Sequence, residues 1–102
     1  MRDLFDDRNW QDVEGYAEGT KEKVLRDDEF AKTILLKLPK GFHVDRHSHA
    51  TCEQFLVLKG EYISKDKKYP AGSYEMFKAH EKHGPFESKD DTLILFIWDP
   101  KS

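Results

Sequence analysis

The sequence predicts an all-β fold, a sandwich or barrel of short strands, on three observations. Apolar stretches recur at roughly ten-residue spacing, with Gly and Pro between them. No stretch carries a convincing helical apolar period. Aromatic residues reach 13% of 102 residues, with 7 Phe, 4 Tyr and 2 Trp, enough to fill a compact core. The chain, residues 1–102, is read as one domain, because pieces of it would be too small to bury cores of their own.

Residues 1–20 form a polar lead-in with scattered large residues: Leu4, Phe5, Trp10, Val13 and Tyr16. Gly15 and Gly19 break any long helix there, leaving irregular backbone or a short strand anchored by its aromatics. The barrel spans residues 21–100. Its first hairpin turns at "RDDE", and the second strand of that hairpin is expected from Phe30 to Leu38, ending at Pro39, Lys40 and Gly41. A strand follows from Glu53 to Leu58, closed by a "KG" turn. "EYISKDKKYPAGSYEMF" reads as a short strand, a lysine-rich solvated loop and another strand. "TLILFIWD" is the final strand and stops at Pro100.

"TILLKL" and "LILFIW" are apolar on both parities, the pattern of strands covered on both faces. So small a domain has little chain to cover a second face, which predicts a homodimer. The competing reading is that Trp10 and Tyr16 fold over that face within one chain.

Composition excludes several partners. The net charge is −3 and no basic stretch interleaves with aromatics, so nucleic acid is not expected. No apolar run approaches the ~20 residues that cross a bilayer, so no membrane partner is expected either. The start, "MRDLFDDRNW", is acidic rather than signal-like, and the single Cys52 excludes an internal disulfide framework. Both features point to the cytoplasm. Cys52 itself reads as a small packing residue. No phosphate-binding glycine loop and no Ser-His-Asp signature is present.

"GFHVDRHSHATCEQFLVLKG", residues 41–60, gathers three of the 5 histidines. Side chains two apart on an extended strand share a face, so His47 and His49 point the same way. Glu53 alternates with Phe55 and Val57 and should point inward with them, where a carboxylate needs a partner or a cation. Two imidazoles and a carboxylate facing inward form a metal half-site. A further ligand has to come from a distant strand, and "AGSYEMFKAHEKHGPF" offers His80 and His83.

The spacing Gly41-x5-His47-x-His49-x3-Glu53-x6-Gly60 resembles the first motif of the cupins, with every defining position filled. The second motif, Gly-x5-Pro-x-Gly-x2-His-x3-Asn, is degenerate here. From Gly72 it places Lys78 at the proline, His80 at the glycine, His83 at the histidine and Glu87 at the asparagine. The resemblance covers residues 41–87 by motif and is to the small single-domain cupins. It implies a jelly-roll β-barrel and adds His83 to His47, His49 and Glu53 as metal ligands. His80 is then another ligand, a donor to one, or a surface residue, the last being favoured. His43 lines the pocket or a loop.

Such a site would take one divalent transition metal, iron, manganese, nickel or zinc, which ligand type alone does not distinguish. Four protein ligands leave two positions open on a six-coordinate ion for a small-molecule ligand. The expected function is a metal-binding cupin, in the enzyme reading a non-haem dioxygenase acting on a small oxygen-bearing substrate. The alternative is a non-catalytic ligand-binding or metal-sensing module. Asp45, Arg46, Gln54, Tyr62, Tyr74 and Lys78 lie near the motif strands as candidate pocket residues, with Arg46 expected to point away from the metal.

Overall fold

The structure, a computed structural model, describes residues 3–100. Its strands are β1 (Gln11–Asp12), β2 (Lys21–Asp27), β3 (Lys32–Leu38), β4 (Phe42–Val44) and β5 (Glu53–Lys59), then β6 (Glu61–Ser64), β7 (Lys67–Pro70), β8 (Tyr74–Phe77), β9 (Phe86–Ser88) and β10 (Thr92–Trp98). They form two antiparallel sheets, one of order β1-β2-β3-β10-β5-β8 and one of order β4-β9-β6-β7. No helix occurs among the described residues, so none is long and apolar enough to cross a membrane. The fold is the cupin jelly roll.

The lysine-rich stretch expected as a loop carries β7, the last strand ends at Trp98 rather than Asp99, and two further boundaries depart for a visible reason. The second hairpin strand begins at Lys32, not Phe30, because Asp28 organises the turn. Its carboxylate accepts the backbone N–H of Phe30 at 2.8 Å and of Ala31 at 2.9 Å, leaving Phe30 outside the ladder and 65% exposed. The motif strand continues to Lys59 and is stopped by Gly60. That glycine has a φ of 81°, and a side chain there would lie 2.5 Å from the carbonyl oxygen of Asp91.

The core lies between the sheets and is largely aromatic. Phe55 is 1% exposed, and its ring meets those of Tyr62, Tyr69, Phe77, Phe86 and Phe96 at centroid distances of 5.5, 5.2, 6.0, 6.1 and 6.0 Å. Tyr62 and Phe86 stack at 4.6 Å. Burial of these rings, together with Ile34, Leu36, Leu38, Val57 and Ile94, is the principal stabilising term.

The opposite face of the six-stranded sheet explains the doubly apolar strands. Leu35, Leu95, Leu56 and Tyr74 stand in one cross-strand row. At its β3 end the lead-in supplies cover: Trp10 lies between the ammonium groups of Lys23 and Lys37, each 4.8 Å from the ring centroid. Leu35 is fully buried there. Further along the row Leu56 and Leu95 are half-buried, while Tyr74 and Met76 are exposed. Intrachain cover by Trp10 is therefore partial. Tyr16 goes elsewhere, to the mouth of the barrel.

Candidate metal centre

Glu53 opens β5 and projects inward with Phe55 and Val57, 4% exposed. His47 and His49 belong to the loop between β4 and β5. A backbone bridge ties that loop to the β8–β9 connection: His47 N–H donates to the His83 carbonyl at 2.9 Å, and His83 N–H to the His47 carbonyl at 2.8 Å. This bridge brings the second half of the site to the first. One potential ligand atom from each of His47, His49, Glu53 and His83 then lies within 4.8 Å of the others.

The geometry fits a cation. The Nδ1–H of His47 donates to the Asp45 carbonyl at 2.7 Å, and that of His83 to the Glu81 carbonyl at 3.0 Å. Both rings thus turn Nε2 inward with its lone pair available. His83 is 5% exposed, and its ring stacks flat on Phe77 at 4.2 Å. Its Nε2 stands 3.1 Å from Glu53 Oε2, yet is buried without a hydrogen-bond partner among the described residues. His49 Nε2 is likewise 3.2 Å from Glu53 Oε1. One nitrogen from each ring and one carboxylate oxygen thus converge on a single small volume, as ligands of one ion do. Three neutral imidazoles and a carboxylate suit a divalent transition metal.

The electrostatics follow from the same packing. Burial, reinforced by neighbouring His47 and His83 against the attraction of Glu53, lowers the pKa of His49. Burial opposes charge on His83 too, but the contacts to Glu53 and to the Glu81 carbonyl outweigh it and raise that pKa. Tyr62 is pushed well above the usual phenol range by burial and by the Glu53 charge, so its hydroxyl stays protonated.

His47, His49 and Glu53 face a chamber of about 20 Å³ whose other walls are Tyr16, Leu36, Phe42, Val44, Tyr62, Phe86, Phe96 and Trp98. That is room for about one water, which needs roughly 10–15 Å³. Among the wall residues Tyr16 alone comes from the lead-in; its ring lies 5.9 Å from Phe42. A larger hollow of about 360 Å³ lies under the lead-in at the other end of the strands, between residues such as Leu4, Trp10, Lys59 and Leu93.

The remaining candidates separate cleanly. His80 is exposed with a φ of 66°, so it occupies the left-handed conformation that the family pattern gives to glycine. Its backbone N–H donates to the His49 carbonyl at 2.7 Å, which ties the turn to the site without using the ring. His43 is exposed and bonds Asp45 through Nε2 at 3.1 Å. Of the candidate pocket residues, Tyr62 reaches the chamber. Gln54 and Tyr74 hydrogen-bond each other on the far face of the sheet, and Asp45, Arg46 and Lys78 are exposed. Sequence reasoning missed Tyr16 and Trp98 as wall residues. Trp98 was discoverable, since it shares the parity of Ile94 and Phe96.

Comparison with known proteins agrees with this architecture. Residues 4–100 match the family described as the ChrR cupin-like domain. An acetylacetone dioxygenase from Acinetobacter johnsonii superposes with a TM-score of 0.80 at 16% identity, covering 92% of this chain and 70% of that one. The complex of SigE with the anti-sigma ChrR from Rhodobacter sphaeroides gives a TM-score of 0.75 at 27% identity, covering 93% of this chain and 51% of the other. Among curated proteins, a component of eukaryotic translation initiation factor 3 from Arabidopsis thaliana is 28% identical over 86 residues. That match covers 70% of this chain and 12% of the plant protein. With nearly its whole length matched, and with the histidine–glutamate cluster at the mouth of the barrel, the chain belongs to the ChrR cupin-like family of the cupins.

Proposed function

We propose that His47, His49, Glu53 and His83 hold one divalent transition metal, and that the protein is a small non-haem dioxygenase acting on a compact oxygen-bearing chelator. The observation that carries the metal assignment is the buried, unpartnered Nε2 of His83 beside Glu53. A bound divalent ion supplies Lewis acidity, and in the iron(II) form a redox partner for dioxygen. The chain supplies the rest. His47 and His83 are held in orientation by their backbone carbonyl partners, and Glu53 by its place at the start of a central strand. Phe42, Phe86, Phe96 and Trp98 exclude bulk water, and Tyr62 offers a protonated hydroxyl near the carboxylate. The acetylacetone dioxygenase likeness supports this reading at the level of fold.

A second reading, a metal-sensing or ligand-binding module, draws on the small chamber and on the 27% identity to the anti-sigma complex. Tag-free protein purified without chelators should contain close to one equivalent of metal. The iron(II) form should consume oxygen with a small diketone or catechol, and the zinc form should not. Binding of such chelators without oxygen uptake would favour the sensing module. Protein that holds no metal even after reloading would end the dioxygenase and metal-sensing readings and leave only a metal-free ligand-binding module.

We also read the protein as a cytoplasmic homodimer. Half-buried Leu56 and Leu95 beside exposed Tyr74 and Met76 support the dimer, and the lone Cys52 supports a reducing compartment. Light scattering at micromolar concentration should give about twice the mass of one chain. A concentration-independent monomer would refute the dimer.

A further inference from the structure

Trp98 lies outside the proposed ligand set, yet its indole addresses it. The ring stacks on Phe96 at 5.8 Å and meets His49 edge-on at 6.1 Å. Trp98 is the direct cross-strand partner of Glu53 in the β10–β5 ladder. Its Nε1–H donates to Glu53 Oε1 at 3.1 Å, the oxygen that also lies 3.2 Å from His49 Nε2, while Glu53 Oε2 accepts no such donor among the described residues and faces His83 Nε2 at 3.1 Å.

We propose that Trp98 is the positioning residue of the metal centre: its indole N–H engages Glu53 Oε1, so that Glu53 offers an ion one oxygen, Oε2, rather than chelating it with both. The proposal rests on the reading of His47, His49, Glu53 and His83 as metal ligands. A carboxylate that binds through both oxygens occupies two adjacent coordination positions; one that binds singly occupies one. With three imidazoles and one carboxylate oxygen, a six-coordinate ion keeps two positions for exogenous ligands. With a chelating carboxylate it keeps one. The indole suits this task because it is a donor only: it neither accepts a competing hydrogen bond through nitrogen nor titrates near neutral pH. Its orientation is fixed from two sides, by the Phe96 stack and by the strand register. Partners of this kind set the orientation of the ligands they touch.

The test uses the full chain and the Trp98→Phe variant, which keeps an aromatic ring on Phe96 and deletes the donor. Zinc affinity, measured by competition with a chromophoric chelator, should fall roughly 10–100-fold. The cobalt(II) absorption spectrum should change, and the manganese(II) form should lose water relaxivity as the freed oxygen takes a position that water held. A purely structural role would not move the last two in a variant whose ion-free melting temperature is unchanged. Should Trp98→Phe fail to fold, the wild-type protein decides through its ¹⁵N-labelled indole, assigned with the help of Trp10→Phe. Zinc should shift the Trp98 N–H cross-peak, and an unmoved cross-peak overturns the proposal. It is equally overturned if Trp98→Phe matches the wild type within twofold in affinity with unchanged spectra and relaxivity. If the wild type itself binds no metal, the ligand assignment falls first and this proposal with it.

Discussion

Replacing Glu53 by glutamine should change stability in opposite directions with and without metal. Glu53 is 4% exposed, with His49 Nε2 at 3.2 Å and His83 Nε2 at 3.1 Å. Without an ion this is a buried carboxylate beside one imidazole, His49, that burial holds toward its neutral form and another, His83, whose proton it must share, an arrangement that costs free energy. Glutamine keeps the shape and an acceptor oxygen for Trp98 while removing that charge. The ion-free variant should therefore melt no lower than the ion-free wild type. With metal the order reverses. An ion at 100 times its dissociation constant stabilises the folded state by about 2.7 kcal/mol. In a domain near this size, 1 kcal/mol moves the melting temperature by roughly 4–8 °C, so the wild type should gain about 11–22 °C. If the variant binds 100-fold more weakly, the same metal concentration contributes about 0.4 kcal/mol, or roughly 2–3 °C. Thermal melts of both proteins, in chelator and in zinc, check all four values. The reasoning is refuted if the variant keeps the full zinc-dependent rise, or if without zinc it loses as much stability as the wild type gains with it.

Phe55→Ala empties the centre of the aromatic core and should cost about 3–5 kcal/mol, read as a shift in the urea midpoint at unchanged slope; a loss below about 1 kcal/mol would contradict the packing described. His83→Ala should abolish metal retention while His80→Ala leaves affinity within about twofold, because the His80 ring is exposed; the opposite result in competition titrations would reverse the assignment. The hairpin turn should be acid-sensitive. Hydrogen bonds from Arg26 and from the Ala31 and Phe30 amides lower the pKa of Asp28 to about 2. A depressed carboxyl pKa means that stability is present above the ordinary carboxylate range and lost as pH falls toward about 2. Asp28→Ala should accordingly flatten the decline of the urea midpoint between pH 4 and pH 2, and an unchanged decline would exclude the turn as its source.

Much of the site was legible because it is written in strand parity. Alternation of Glu53, Phe55 and Val57 places the carboxylate among core residues, and the ladder keeps it there. His83 was harder to assign. The turn leading to it lacks the proline and glycine that usually shape it, and its path depends on His80 adopting a positive φ and on the His47–His83 backbone bridge. Neither is a local property of the residues concerned. The short strands β4 and β9 were not foreseen, since three residues carry too little periodicity to read. The division of labour in the lead-in was also hidden. Trp10 and Tyr16 are both large aromatics on polar chain, and only the tertiary path sends one over the sheet and the other to the chamber.

That division bears directly on the two functional readings. The strands hold Glu53 and most of the chamber wall, and they are joined by ladders on both sides of β10, whereas His47, His49 and His83 sit on two loops tied by the His47–His83 backbone bridge. Such walls do not open without breaking several backbone hydrogen bonds. Tyr16 is different. It is 39% exposed and sits between Gly15 and Gly19, both in the left-handed conformation. The short turn that follows it is closed by Thr20, whose hydroxyl and N–H both donate to the Ala17 carbonyl, at 2.7 and 3.1 Å. A space of about 20 Å³ admits a molecule the size of water or dioxygen, whereas a chelating diketone needs several times that volume. For the enzyme reading to hold, the extra volume comes most readily from the Tyr16 side, because the ladders fix the strand walls and the backbone bridge ties the His47 and His83 loops. For the sensing reading, the same residue has only to stay in place. The choice between catalysis and sensing therefore turns less on the metal ligands than on whether one lead-in tyrosine yields to a ligand.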